Sequence, residues 1–110
     1  MTDKIVVLST CGSSEEGLRI ARSLVESRLA ACVNIVPAAT SVYRWEGRLE
    51  QSSEVILIIK SSRELFGRLQ QTLLQSHSYE VPEVLALPVL DGSGRYLNWI
   101  EGELVKEEQA

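Results

Sequence analysis

An α+β sandwich is the fold class that this 110-residue sequence predicts, and three observations predict it. Short β-branched apolar runs alternate with stretches of helical period. A Ser-x-x-Glu box, the spacing that caps a helix start, precedes each of the two longer helical stretches. One pair of strand-like segments, joined by Glu46-Gly47, is much longer than the other strands. Apolar residues make up 45% and charged residues 24% of the chain, near the globular average, so a core rather than a disordered chain is expected. The length accommodates a single domain over residues 1–110.

Ile5-Val6-Val7-Leu8 reads as a first strand. Ser13 and Glu16 form the first box, and Leu18, Ala21, Leu24, Val25 and Leu29 then recur with helical period, predicting a helix from Ser14 to Arg28. Ala31 to Trp45 reads as a long second strand kinked or bulged near Pro37, with Ser41, Tyr43 and Trp45 on one side and Val42 and Arg44 on the other. Glu46-Gly47 supplies a hairpin turn, since glycine tolerates positive φ, and the return strand runs from Arg48 to Lys60. Ser61 and Glu64 form the second box, ahead of a helix carried by Leu65, Phe66, Leu69, Leu73 and Leu74 as far as Ser76. Val84 to Leu87, bracketed by Pro82 and Pro88, is a fourth strand. Asp91 to Gly94 makes a turn, Tyr96 to Ile100 a short helix, and residues 101–110 a frayed acidic tail. The order is that of a ferredoxin-like β-α-β-β-α-β sandwich with a long β2-β3 hairpin and a short C-terminal helix.

Twelve residues per hairpin arm, at about 3.3 Å each, extend ~40 Å. A compact domain of this length has a radius of gyration of only ~13 Å. The hairpin is therefore expected to overhang its own domain, while helices cover just one face of the sheet. Pairing with further copies shelters both, and a closed ring stops fibre growth. A homo-oligomer follows. The alternative is a hairpin curled back over its own sheet by the bulge at Pro37.

Charge and motifs exclude several functions. The net charge is −4, of which −3 comes from the last ten residues, and the eight arginines are scattered. No basic stripe for nucleic acid results. No apolar run approaches the roughly 20 residues that span a bilayer. The amino terminus lacks the pattern of a secretory signal, so a soluble cytoplasmic protein is expected. Cys11 and Cys32 are too few for a disulfide framework. No C-x-x-C pair, Gly-rich phosphate loop, G-x-S-x-G elbow or H-E-x-x-H helix occurs, and no enzyme activity is expected.

Five separated motifs carry a resemblance. They are Ala30-Ala31-Cys32-Val33-Asn34, Tyr43-Arg44-Trp45-Glu46-Gly47, His77-Ser78-Tyr79-Glu80-Val81-Pro82-Glu83, Leu87-Pro88-Val89, and Tyr96-Leu97-Asn98-Trp99-Ile100. Together they resemble the CutA divalent-cation tolerance family, over nearly the whole span from Lys4 to Ile100. The resemblance implies a ferredoxin-like protomer, a homotrimer knitted by its hairpins, and a link to copper and other divalent ions, with no obligatory cofactor.

Three residues are the candidate metal ligands. His77, the only histidine, offers imidazole, the most versatile ligand; the plainer role is to satisfy last-turn carbonyls of the second helix. Glu83 lies six residues on and needs a turn before Pro82, or a neighbouring subunit, to share a site with His77. Cys11 could complete a His/Glu/Cys set suited to copper or zinc. In the family's pattern, however, the cysteine of this stretch falls at the position of Ser9, two residues earlier and on the same side of a straight strand. Glu80 reads as simply exposed and Cys32 as a small buried apolar residue. Lys60 and Tyr79 could line a cleft between protomers, and Trp45 and Trp99 read as packing residues. The function expected is a homotrimer that binds copper(II) or another divalent cation weakly. The alternative is a signalling trimer resembling the nitrogen-regulatory proteins, with a small ligand in the inter-subunit cleft and a mobile basic loop as its mark. An enzyme using the Cys11-Gly12-Ser13-Ser14 loop as an anion cradle, as acylphosphatases do, is a third.

Overall fold

A computed structural model describes residues 2–106. In chain order it contains β1 (Lys4–Cys11), α1 (Ser14–Glu26), β2 (Cys32–Trp45), β3 (Arg48–Ser62), a 3-10 turn (Arg63–Leu65), α2 (Phe66–Ser76), β4 (Leu85–Pro88) and α3 (Gly94–Glu103). The sheet is antiparallel throughout, in the order β2-β3-β1-β4. This is the ferredoxin-like sandwich that the sequence predicts, with α3 appended.

Strand alternation divides the sheet into two unlike faces. Ile5, Val7 and Cys11 of β1 and Val55, Leu57 and Ile59 of β3 are buried against the helix layer. There they meet Ile20 and Leu24 of α1 and Leu69 and Leu73 of α2, all essentially inaccessible. Each such leucine contributes roughly 1.5–3 kcal/mol by leaving water. The opposite parity, Val6, Leu8, Ile56 and Ile58, is half-buried, and Leu85 and Leu87 of β4 are exposed beside it. The register pairs Leu8 with both Ile58 and Leu85, so these side chains form one apolar surface with no helix over it among the described residues.

The hairpin projects as predicted. The molecule measures 44 × 27 × 22 Å, and its radius of gyration of 14.6 Å exceeds the value for a compact chain of this length. β2 and β3 stay paired out to Trp45 and Arg48, and close through Glu46 (φ 50°) and Gly47 (φ 80°). Two positive φ values make the primed two-residue turn that matches strand twist.

A bulge at the predicted place decides which side chains the hairpin presents. Val36 pairs with Ile56 but Ala39 with Glu54, so β2 carries one extra residue, and Ala38 takes φ 66°. One inserted residue exchanges the two faces beyond it. Tyr43 and Trp45, rather than Val42 and Arg44, therefore share the open face with Glu54 and Ile56.

Several boundaries differ from expectation. Helix α1 stops at Glu26 because Arg28 turns to φ 61° and the N–H groups of Leu29 and Ala30 both donate to Leu24 O. The second box does not form. Ser61 is fully buried and its hydroxyl donates to Leu29 O at 2.6 Å, while Ser62 holds the cap position without a side-chain bond. Pro88 ends β4 from within, tolerable on an edge strand. Helix α3 runs to Glu103, and Leu104 is buried in the core. Glu101 also bonds Lys4 and Lys106, so residues 101–106 are docked rather than frayed; the rest of the predicted tail, 107–110, lies outside the described residues.

Candidate functional site

The segment following α2 builds the site. It leaves the helix layer at Ser76, rounds the carboxyl end of β1, and reaches the open face before β4 begins. Six hydrogen bonds hold this path. The guanidinium of Arg19 donates to Ser76 O at 3.0 Å. His77 Nε2 lies 2.6 Å from Thr10 O, and its Nδ1 accepts the Tyr79 N–H at 3.0 Å. Glu16 accepts from Ser78 N–H at 2.8 Å and from the Ser78 hydroxyl at 3.1 Å. The Tyr79 hydroxyl donates to Glu54 Oε2 at 2.7 Å.

Glu16 has more than the capping role its spacing suggests. Ser13 Oγ does accept from Glu16 N–H at 3.1 Å, but the carboxylate, only 7% exposed, turns to the neighbouring loop and Ser78. Burial pushes its pKa up, yet the two Ser78 bonds and the Gly12 N–H outweigh burial and leave it below the ordinary glutamate value. Its distance of 3.7 Å from His77 Nδ1 is proximity rather than an ion pair, because that nitrogen's lone pair is committed to the Tyr79 N–H.

Beyond Tyr79 the chain walls a cavity of about 320 Å³ on the open face, lined by Thr10, Tyr43, Trp45, Glu54, Tyr79, Glu80, Val81 and Glu83. The bulge supplies two of these residues, since it turns Tyr43 and Trp45 toward Glu54. Burial and the Glu54 carboxylate both raise the Tyr79 pKa far above the ordinary phenol value, so Tyr79 is the donor and Glu54 the acceptor of their bond.

The three predicted ligands are not brought together. Among the described residues no group of three or more His, Cys, Asp or Glu side chains is arranged to hold a metal ion. The His77 side chain is wholly inaccessible and both ring nitrogens are used within the chain. It is a strut for the loop. Cys11 points into the core, where burial keeps its thiol pKa high and the sulfur donates to Ser13 O. A protonated core thiol is a poor ligand. Glu83 alone of the three reaches open space, on the cavity wall with Glu80. Lys60 instead bonds Asn34, away from the cavity.

Sequence reasoning missed Glu54 and Glu16. Glu54, a lone charge abutting the apolar block Val55–Ile59, carried a weak signal, while the capping spacing of Glu16 offered a sufficient local explanation that concealed its tertiary role.

The comparisons agree with one another. The profile of the CutA1 divalent ion tolerance protein family matches residues 5–103. A divalent-cation tolerance protein CutA from Thermus thermophilus is 46% identical over 95 residues, which is 86% of this chain and 92% of that protein. The chloroplastic protein CutA of Arabidopsis thaliana is 47% identical over 88% of this chain, which spans only 53% of that longer relative. Among solved structures, the Thermus thermophilus divalent cation tolerance protein superposes with a TM-score of 0.90 at 43% identity, covering 93% of this chain and 99% of that one.

Proposed function

Since the chain belongs to the CutA1 divalent ion tolerance protein family, we propose that it serves divalent-cation tolerance as a homotrimer that takes up copper(II), or another divalent cation, weakly. The uncovered apolar face formed by Val6, Leu8, Ile56, Ile58, Leu85 and Leu87 carries this reading. A monomer leaves that surface and the hairpin edges in water, where they invite uncontrolled pairing. A three-fold ring covers each copy's face and closes the series.

For the cation, Glu83 is the one predicted ligand we retain, with Glu80 beside it. Two exposed carboxylates do not close a coordination sphere, so binding is labile and is completed by water or by a neighbouring copy. At such an oxygen site copper(II) outcompetes the other first-row divalent ions. The proposed action is binding rather than catalysis, in the cytoplasm, where free thiols such as Cys11 and Cys32 persist. The signalling alternative calls for a mobile basic loop, whereas the hairpin closes through the two-residue turn Glu46-Gly47.

Sedimentation and equilibrium dialysis test the proposal. A trimer is expected at micromolar protomer concentration, and Leu8→Glu should release a 12.2 kDa species. Copper(II) uptake should fall in Glu83→Gln and persist in Cys11→Ser. A monomeric wild-type chain would overturn the assembly, and unchanged uptake by Glu83→Gln would overturn the assignment of the cation site.

A further inference from the structure

We propose that Asp91 is a site of covalent self-modification, at which the side chain closes on the Gly92 nitrogen to a succinimide that reopens as an isoaspartyl linkage. This goes beyond the cation-tolerance reading and rests neither on the assembly nor on a bound ion.

The fold separates Asp91 from every other residue able to form that five-membered ring. The chain has two aspartates and two asparagines. Asn34 lies within β2 and Asn98 within α3, where regular dihedrals fix the following nitrogen relative to the side chain. Asp3 precedes Lys4, whose N–H donates to Thr2 Oγ1 at 3.1 Å and whose buried side chain bonds Asp3 and Glu101. Asp91 and Gly92 lie outside any helix or strand, and both are exposed. Val89 N–H bonds Lys4 O at the start of β1, so the turn sits past the end of the sheet opposite the hairpin tip.

The local geometry brings the reacting atoms together. Gly92 N–H donates to Asp91 Oδ1 at 2.8 Å. Cγ is bonded to that oxygen at about 1.2 Å, so the nitrogen stands at most about 4 Å from the carbon it attacks. A small rotation of the side chain reaches the roughly 3–3.5 Å of a reacting pair. Glycine adds no Cβ to obstruct that approach, and Ser93 caps α3 without a side-chain bond that would tie down the turn. The atoms balance without an external reagent. The Gly92 nitrogen gives up its proton and bonds Cγ of the protonated carboxyl, whose hydroxyl departs, and proton and hydroxyl leave as water. A second water then adds at the Asp91 main-chain carbonyl and cleaves its bond to the Gly92 nitrogen. The backbone now runs through Cβ and Cγ, one methylene longer, and the former main-chain carbonyl is a free carboxylate just ahead of α3.

Incubation of the native assembly for several weeks in mildly acidic water enriched in heavy oxygen tests the site. Peptide mapping should find isoaspartate at position 91, labelled with solvent oxygen from ring opening, and enzymatic carboxyl methylation with S-adenosylmethionine should report the same sites. Accumulation should be at least about tenfold faster at Asp91 than at Asp3, and at least about tenfold slower in Gly92→Ala than in the wild type. The alanine Cβ would stand 3.5 Å from Leu97 Cδ2, an ordinary contact, so that variant keeps the fold. Asp91→Glu, which would need a six-membered ring, should yield none. No isoaspartate at position 91, equal accumulation at Asp3 and Asp91, or an undiminished rate in Gly92→Ala would overturn the proposal. Copper uptake and the oligomeric state are measured separately, so either reading can fail while the other stands.

Discussion

Replacing Glu16 by alanine tests whether the cavity wall is held from the helix side. The carboxylate accepts two bonds from Ser78, at 2.8 and 3.1 Å, and a longer one of 3.4 Å from Gly12 N–H. Bonds to a charged acceptor contribute roughly 1.5–3 kcal/mol each. Ser78 is exposed, so water replaces part of what is lost, and bonds sharing one carboxylate are not additive. A loss of about 2–3 kcal/mol follows for Glu16→Ala, and about half that for Glu16→Gln, whose amide oxygen still accepts. Denaturant unfolding at one fixed protomer concentration measures the global effect. Hydrogen exchange measures the local one: the Ser78 and Tyr79 amides should exchange roughly 30- to 150-fold faster in the alanine variant. The same unfolding midpoint with unchanged protection at Ser78 would show that the loop is held by other contacts. The acid dependence has a definite sign. Because the folded pKa of Glu16 lies below its unfolded value, its contribution is complete above the ordinary glutamate range and disappears as pH falls through the depressed folded value.

Further predictions concern the core and the last helix. Gly17→Ala should destabilise the protein by about 1–2 kcal/mol, despite alanine's better helix propensity, because the new Cβ would stand 3.2 Å from Cys11 Sγ and 3.3 Å from Leu57 Cδ2; thermal unfolding reads the sign directly. Leu57→Ala should cost about 3–5 kcal/mol, since the side chain is wholly enclosed between the sheet and α1, and a shift in the denaturant midpoint without a change in slope would show it. Bonds from Lys106 and Lys4 hold the Glu101 carboxyl down to about 2. The docking of α3 on β1 should therefore be complete above about pH 4.5 and weaken progressively toward pH 2. Exchange of the α3 amides across that range measures it, and Glu101→Gln should remove the dependence.

Much of the fold was readable because its signals are local. Apolar period, the Ser13 cap, the Glu46-Gly47 turn and the break at Pro37 depend on residues adjacent in the chain, and each appears where its spacing predicts. The overhang of the hairpin followed from strand length alone. Where a second donor or acceptor lay far off in sequence, local reading failed. Ser61 had the spacing of a cap but bonds Leu29 O instead, and residues past Ile100 looked frayed until Leu104 entered the core.

The site shows the same division more sharply. Its residue types were visible in the sequence, and so was the shared family, but not the direction in which each side chain faces. His77 and Cys11 carry ligand chemistry, yet the path of the chain around the end of β1 turns His77 inward, and strand alternation turns Cys11 into the core. Only the paired strands could show that the one-residue bulge after Val36 brings Tyr43 and Trp45 over Glu54. Spacing along a chain determines which segments become helix or strand, whereas register between strands determines which side chains meet, and register is set by pairings far apart in sequence.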